Sequence, residues 1–425
     1  MSRARKITLR ALIFVGALIL IFASVILIRR ISCVAIKDTG LPRLDVYTED
    51  GAKIKSKEDY LNCTVSLTSD EEEYSFDSLS AGIRGRGNTT WKFFPKKPYR
   101  IKFDKKVSMF GEAKNKSWVL LAMYNDFSLT KDSLGFALAD AMGTEDFVPC
   151  SHYVDLYING KYAGIYMLTD QVQENSGRLD VEEDFTAEDV EVPFLVELDS
   201  YAEDEGAEGE AWFRIGDRLY TVKYPEADQR YNQAQFDYIV NYISKVDALF
   251  NKPGVTLAEL SEYVDIDSFI DYYIVQETMG QIEINWKSVY MSKSTDGKLK
   301  MGPVWDFDWS CDGPHAWLTA KSKYKDDIEG LRSGDNWFGN GFKNCPELAR
   351  AVAERFAEVK HRMLSVIDEF EGKKDLLAQA ARKDWRRWHF FRLSRGYDYY
   401  YDLTLSWCSQ RIQWLDEEFS SYLLD

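Results

Sequence analysis

Asp306 and Asp308 stand in the run Trp305-Asp-Phe-Asp-Trp309, two acids interleaved with three aromatic residues. Two carboxylates on a rigid element offer only oxygen ligands, the donor set that Mg²⁺ or Mn²⁺ takes. The stretch leading to them starts at Glu283. Ser288 to Met291 alternates small or polar with large apolar residues, Asp296-Gly297 marks a two-residue hairpin, and Leu299, Met301 and Val304 continue the apolar run. The hairpin is expected to lift both acids out at the edge of a core. In a strand alternate residues share a face, so the two carboxylates would point one way while the aromatics hold the backbone. The alternative is a solvated edge strand whose acids face water.

A second stretch suits an anionic ligand. Residues 81–103 contain Arg84-Gly-Arg86-Gly-Asn88-Thr-Thr-Trp91, then Pro95-Lys-Lys97-Pro-Tyr-Arg-Ile-Lys102-Phe103. The glycine spacing permits tight or positive-φ backbone, and exposed amides with two arginines can cradle phosphate. Tyr99 to Phe103 alternates as a strand, with Lys97 at its entrance. Here the alternative is a basic edge strand after a glycine turn. Zinc chemistry has little support, because there is no Cys-x-x-Cys pair and no His-x-x-x-His among six cysteines and four histidines.

These residues need elements to position them. Strands are expected over Leu44–Tyr47, Asn62–Leu67, Trp118–Met123, Pro193–Asp199 and Leu219–Tyr224. A hairpin is expected about Asn159-Gly160, with Asp170 at its exit. Asp126 or Ser128 caps a helix through Met142. From Ala234 the apolar spacing turns helical, and the helix from Asp265 to Glu277 runs straight into the central hairpin. Leu348, Val352, Phe356, Val359, Met363, Val366 and Phe370 form one long amphipathic stripe, and Leu405 to Phe419 another. The fold class is α+β, β-rich first and helical afterwards.

Residues 11–28 are uninterruptedly apolar, preceded by Arg3, Arg5, Lys6 and Arg10 and followed by Arg29-Arg30. That length nearly crosses a bilayer core, and the Val-Ile-Leu-Ile-Arg-Arg exit is a poor cleavage site. The reading is an uncleaved, single-pass membrane anchor over 1–30 with its N-terminus cytoplasmic. A tether over 31–41 and an extracytoplasmic remainder follow. The net charge is −16; residues 1–30 carry six positive charges and no acid, which leaves −22 on the rest. So acidic a domain repels nucleic acid and anionic lipid but not metal ions. Outside the cytoplasm the six cysteines allow one to three disulfides. The 14% aromatic content also suits a surface that stacks on sugar or nucleobase rings.

Taken together, Arg84 to Trp91, Pro95 to Phe103, Ser117-Trp-Val-Leu-Leu-Ala122, Asn159-Gly-Lys-Tyr-Ala-Gly-Ile-Tyr166 and Gly302-Pro-Val-Trp-Asp-Phe-Asp308 resemble the CotH (spore-coat protein H) kinase-like family. The resemblance covers about residues 41–345 and implies a kinase-like domain over 42–345, with 346–425 a helical extension packed on it. It implies an atypical protein-kinase-like fold that binds ATP with Mg²⁺ or Mn²⁺ and phosphorylates Ser or Thr of a surface or coat protein. Carried over, Lys97 resembles the phosphate-holding lysine. Arg84, Arg86, Asn88 and Lys102 belong to the nucleotide side, and Asp170 stands where Glu is expected. Asp306, joined by Asp308, resembles the metal-binding aspartate. Glu283 falls at the catalytic aspartate and Ser288 at a metal-binding Asn. Phosphoryl transfer needs positioning, metal charge and an acceptor for the hydroxyl proton. Glu for Asp shifts a carboxylate by roughly an ångström. The competing expectation is therefore a non-catalytic pseudokinase, a coat or glycan-binding scaffold.

Overall fold

The computed structural model describes residues 14–24, 39–181, 185–207, 211–226, 232–311, 328–389 and 396–423. Residues 14–24 are helical (α1); the rest of the 11–28 run, and most of the 31–41 tether, lie outside the described residues. Among the described residues no helix is long and apolar enough to cross a membrane, so the expected spanning anchor is not found there. Eleven helical residues rise about 16 Å, roughly half a hydrocarbon core.

Seven strands close into a barrel in the order β1-β2-β3-β4-β5-β7-β6. They are β1 (Arg43–Thr48), β2 (Leu61–Thr68), β3 (Phe76–Gly85), β4 (Tyr99–Val107), β5 (Asn115–Leu121), β6 (His152–Ile158) and β7 (Lys161–Asp170). Their alternation is what buries one face: Leu44, Val46, Val65, Ile83, Ile101, Trp118 and Leu120 fill the interior. Asn159 (φ 51°) and Gly160 (φ 71°) make the β6–β7 turn, both left-handed as a tight hairpin requires. Closure comes from a parallel pairing of β1 with β6, Arg43 opposite Asp155. The expectation of a kinase-like fold did not include this closed barrel. The pairing that makes it joins segments over a hundred residues apart, and no local pattern signals it.

The second half is built on a five-stranded sheet, β12-β11-β8-β10-β9. Its strands are β8 (Phe194–Asp199), β9 (Trp212–Ile215), β10 (Arg218–Tyr224), β11 (Lys287–Lys293) and β12 (Lys300–Met301). Around it lie α2 (Thr89–Phe93), α3 (Lys131–Met142), α4 (Ala202–Ala207, within the expected acidic loop), α5 (Gln233–Phe250), α6 (Leu257–Ser261) and α7 (Ile266–Thr278). Then come α8 (Trp337–Asn344), α9 (Pro346–Trp388) and α10 (Tyr397–Ser421). Asn232 and Gln235 form a capping box for α5; α3 instead begins after Thr130, which makes no side-chain cap, although the expected Asp126 carboxylate accepts from the Lys131 amide. α7 is buried on every side from Ser268 to Thr278.

α9 docks back on the barrel. Asp384 accepts from the fully buried Lys96 ammonium and from the Ile165 amide, both at 2.8 Å. Gly164 makes room for this, since a Cβ there would sit 2.5 Å from the Asp384 carboxylate. The Cys311 and Cys408 thiols, the second on α10, lie 3.4 Å apart.

Candidate functional site

A cleft of about 650 Å³ opens between the barrel and the second sheet. Its barrel wall carries Arg84, Arg86, Asn88, Arg100 and Lys102; its opposite wall carries Asp132, Lys287, Ser288, Asp306 and Asp308. The glycines of the basic run shape the first wall. At Gly85 a Cβ would strike the Trp91 ring at 2.4 Å, and Gly87 has φ +74°. Lys57 donates to the Asn88 side chain at 2.7 Å, and Arg86 lies over the Trp305 ring at 5.7 Å, reaching across to the acidic wall. Among the described residues, the buried Nε of Arg84 and of Arg100 have no hydrogen-bond partner. Unspent guanidinium donors beside a cleft suit an anionic ligand.

The acidic wall is made by a turn, which corrects the expected strand. After β12 the chain leaves the sheet. Asp306 adopts left-handed φ/ψ of 65°/57°, and Phe307–Trp309 is a single 3₁₀ turn. Short polar side chains tolerate that region. The turn is pinned by its middle residue: the Phe307 amide donates to Asp132 at 2.7 Å, and its ring lies where a Cβ on Gly135 would come within 2.3 Å. Gln281 donates to the Asp306 carbonyl at 2.6 Å, and Ser288 donates to the Asp306 carboxylate at 3.1 Å. Alternation therefore does not put Asp306 and Asp308 together; this pinned turn does.

Glu283 lies in the turn between α7 and β11, with 6% of its surface exposed. Its Oε1 meets the Lys287 ammonium at 2.7 Å, while that ammonium stands 3.9 Å from Asp306. Oε2 of Glu283 and Oδ1 of Asp308 are buried without a hydrogen-bond partner. Burial, opposed by Lys287 and reinforced by Asp306, pushes the Glu283 carboxyl up to about 7. Burial and then Asp306 push Asp132 up to about 7. Asp308 is held well above the usual carboxylate range by burial and by Asp306, Glu283 and Asp132. Burial works against the Lys287 charge, but Glu283 and Asp306 outweigh it and raise its pKa. Two carboxylates, Glu283 and Asp306, thus meet one ammonium, Asp308 and Asp132 add to the same acidic wall, and among the described residues Glu283 Oε2 and Asp308 Oδ1 lack a donor. An all-oxygen set suits a hard divalent cation, and Asp306 and Asp308 are the candidates to hold it; among the described residues no three of these acids bring ligand oxygens within 4.8 Å of one another.

Of the sequence candidates, Arg84, Arg86, Asn88, Lys102, Ser288, Asp306 and Asp308 line the cleft, and Glu283 adjoins it through Lys287. Two lie elsewhere. The Lys97 ammonium donates to the Trp91 carbonyl and faces that ring at 5.6 Å, outside the lining. Asp170 pairs with Arg178 at 2.7 Å and accepts from the Cys150 amide at 3.0 Å, ends that serve the barrel. Sequence reasoning missed Asp132, Arg100 and Lys287. The four-residue spacing of Glu283 and Lys287 was a usable signal; nothing local marks Asp132.

The model of the CotH kinase protein family matches residues 83–415, most of the chain, and the chain belongs to that family. The match begins just before Arg84 and runs through α9 into α10. The matched span therefore includes α9 and most of α10. Among curated proteins no match is found.

Proposed function

We propose that the cleft binds ATP with a divalent ion, Mg²⁺ or Mn²⁺, and transfers the terminal phosphoryl group to Ser or Thr of a protein. The observation that carries this reading is the pairing of walls. Arg84 and Arg100, each with an unpartnered Nε among the described residues, line the same cleft as Asp308, which has an unpartnered Oδ1, and a metal–nucleotide complex would bring each wall charge of the opposite sign. The bound cation would neutralise charge on the phosphates. Asp306 and Asp308 would hold it, and Ser288, donating to Asp306 at 3.1 Å, would fix that rotamer. Arg84, Arg86, Arg100 and Lys102 orient the phosphate chain. Glu283, with a carboxyl near neutrality, takes the proton of the attacking hydroxyl. In this reading the barrel and the helical half divide the work as the two lobes of a kinase do. The apolar run at 11–28 supports an anchored, extracytoplasmic enzyme acting on surface or coat proteins.

A second reading has one observation in its favour. Glu283 Oε1 is already engaged by Lys287, which suits a pseudokinase scaffold. Radiolabelled ATP with Mn²⁺ or Mg²⁺ and a Ser-rich acceptor separates the two. The kinase reading expects transfer by the wild type, lowered about 10²–10³-fold in Glu283→Gln with nucleotide binding retained. Nucleotide or glycan binding with no transfer by the wild type supports the scaffold.

A further inference from the structure

We infer that Lys287 is a built-in cation of the cleft, standing where a second metal ion would otherwise sit, so that the site takes one divalent ion per nucleotide. This rests on the reading of the cleft as a metal–nucleotide site. Protein kinases commonly hold two ions, one on an aspartate and one on an asparagine of the catalytic loop. By the family resemblance Ser288 falls at that second position, and its hydroxyl is turned onto Asp306 at 3.1 Å. The neighbouring Lys287 fills the space: its ammonium lies 2.7 Å from Glu283 and 3.9 Å from Asp306, between the carboxylates a second ion would bridge.

The ammonium cannot easily step aside. The Lys287 and Glu283 side chains are only 13% and 8% exposed, and Lys287 opens β11, whose pairing with β8 fixes its backbone. A divalent ion brought to the same carboxylates would meet a fixed positive charge at about 4 Å, a strong repulsion away from bulk water. A lysine ammonium is a compact point charge. Placed on the cleft wall, it can do for the phosphates part of what the missing ion does, with three donors of which Glu283 takes one.

The test is Mn²⁺ stoichiometry on the full chain with a non-hydrolysable ATP analogue, by titration calorimetry and by the Mn²⁺ resonance signal. We expect one ion per chain in the wild type. Lys287→Met keeps length and removes charge; we expect a second ion to bind, or the first to bind at least tenfold tighter, and the analogue to bind about tenfold weaker. Lys287→Arg keeps the charge and should keep one ion. Two ions in the wild type overturn the inference while leaving the cleft's assignment standing. A Lys287→Met protein with unchanged Mn²⁺ count and affinities overturns it too. No binding of Mn²⁺ or analogue by the wild type overturns the cleft's assignment and this inference together. The wild-type count stands whether or not the methionine variant folds.

Discussion

Glu277 and Glu283 lie six residues apart, both buried, and the molecule treats them in opposite ways. Glu277, near the end of α7, has no exposed surface and accepts from the Arg332 amide, the Ser333 amide and the Arg411 guanidinium at 2.8–2.9 Å. Arg411 also donates to the Glu277 carbonyl, so the pair stitches α10 to α7. Glu283 has the Lys287 ammonium on one oxygen and nothing on the other. A buried charge left half-satisfied costs stability, and a fold retains it where a ligand completes it. Glu277 belongs to the scaffold and Glu283 to the site, although composition and burial alone do not tell them apart.

Breaking the scaffold pair should produce the largest stability effect. Arg411→Met leaves the Glu277 carboxylate buried with only backbone donors, and we expect a loss of about 3–5 kcal/mol in urea denaturation. A loss below 1 kcal/mol would show that the two backbone amides suffice. The site should respond in the opposite direction. Asp308→Asn replaces a half-buried carboxyl with an unpartnered oxygen, set among three other acids. Without metal we expect a gain of about 1 kcal/mol in the same assay, with transfer activity lost. Destabilisation instead would place Asp308 in the scaffold class.

A third acid sharpens the comparison by its pH dependence. Glu145 lies beside the exit of β12, its Oε1 buried without a partner and its other oxygen 3.4 Å from the Val304 amide. Burial pushes its carboxyl up to about 8, with Asp271 and Asp146 adding to the rise. The folded pKa exceeds the unfolded value of about 4.3, so the native state holds the proton more tightly. Its contribution is full below the unfolded pKa and is lost as pH rises to about 8. Unfolding free energy measured from pH 5 to 8 should therefore fall less steeply in Glu145→Gln than in the wild type. Equal slopes would remove Glu145 from the account.

Much of the frame was legible in the sequence because it rests on local rules. Alternation located β1, β2 and β4, Asn159-Gly160 the clearest turn, and four-three spacing the long α9, whereas β3 was not among the expected strands. The basic run and the Asp306–Asp308 pair were visible as chemistry, and the fold brings Arg84, Arg86, Asp306 and Asp308 to one cleft. What was not legible depends on distant contacts. Lys96, not its neighbour Lys97, is the lysine that the fold buries, because Asp384 arrives from α9 to meet it. Asp170 looks like a strand-end ligand until Arg178 claims it. The left-handed Asp306 hides inside a pattern that alternates like a strand, and only the Phe307 contacts with α3 reveal the turn.

The most direct test of the central claim, that the unsatisfied acids await a cation, is the melting temperature of the full chain against Mn²⁺ with ATP present. At a metal concentration about 100-fold above its dissociation constant, linkage should add about 2.7 kcal/mol, a rise of a few degrees in a chain this size. We predict that rise in the wild type and none in Asp306→Asn. The same rise in both proteins would contradict the account.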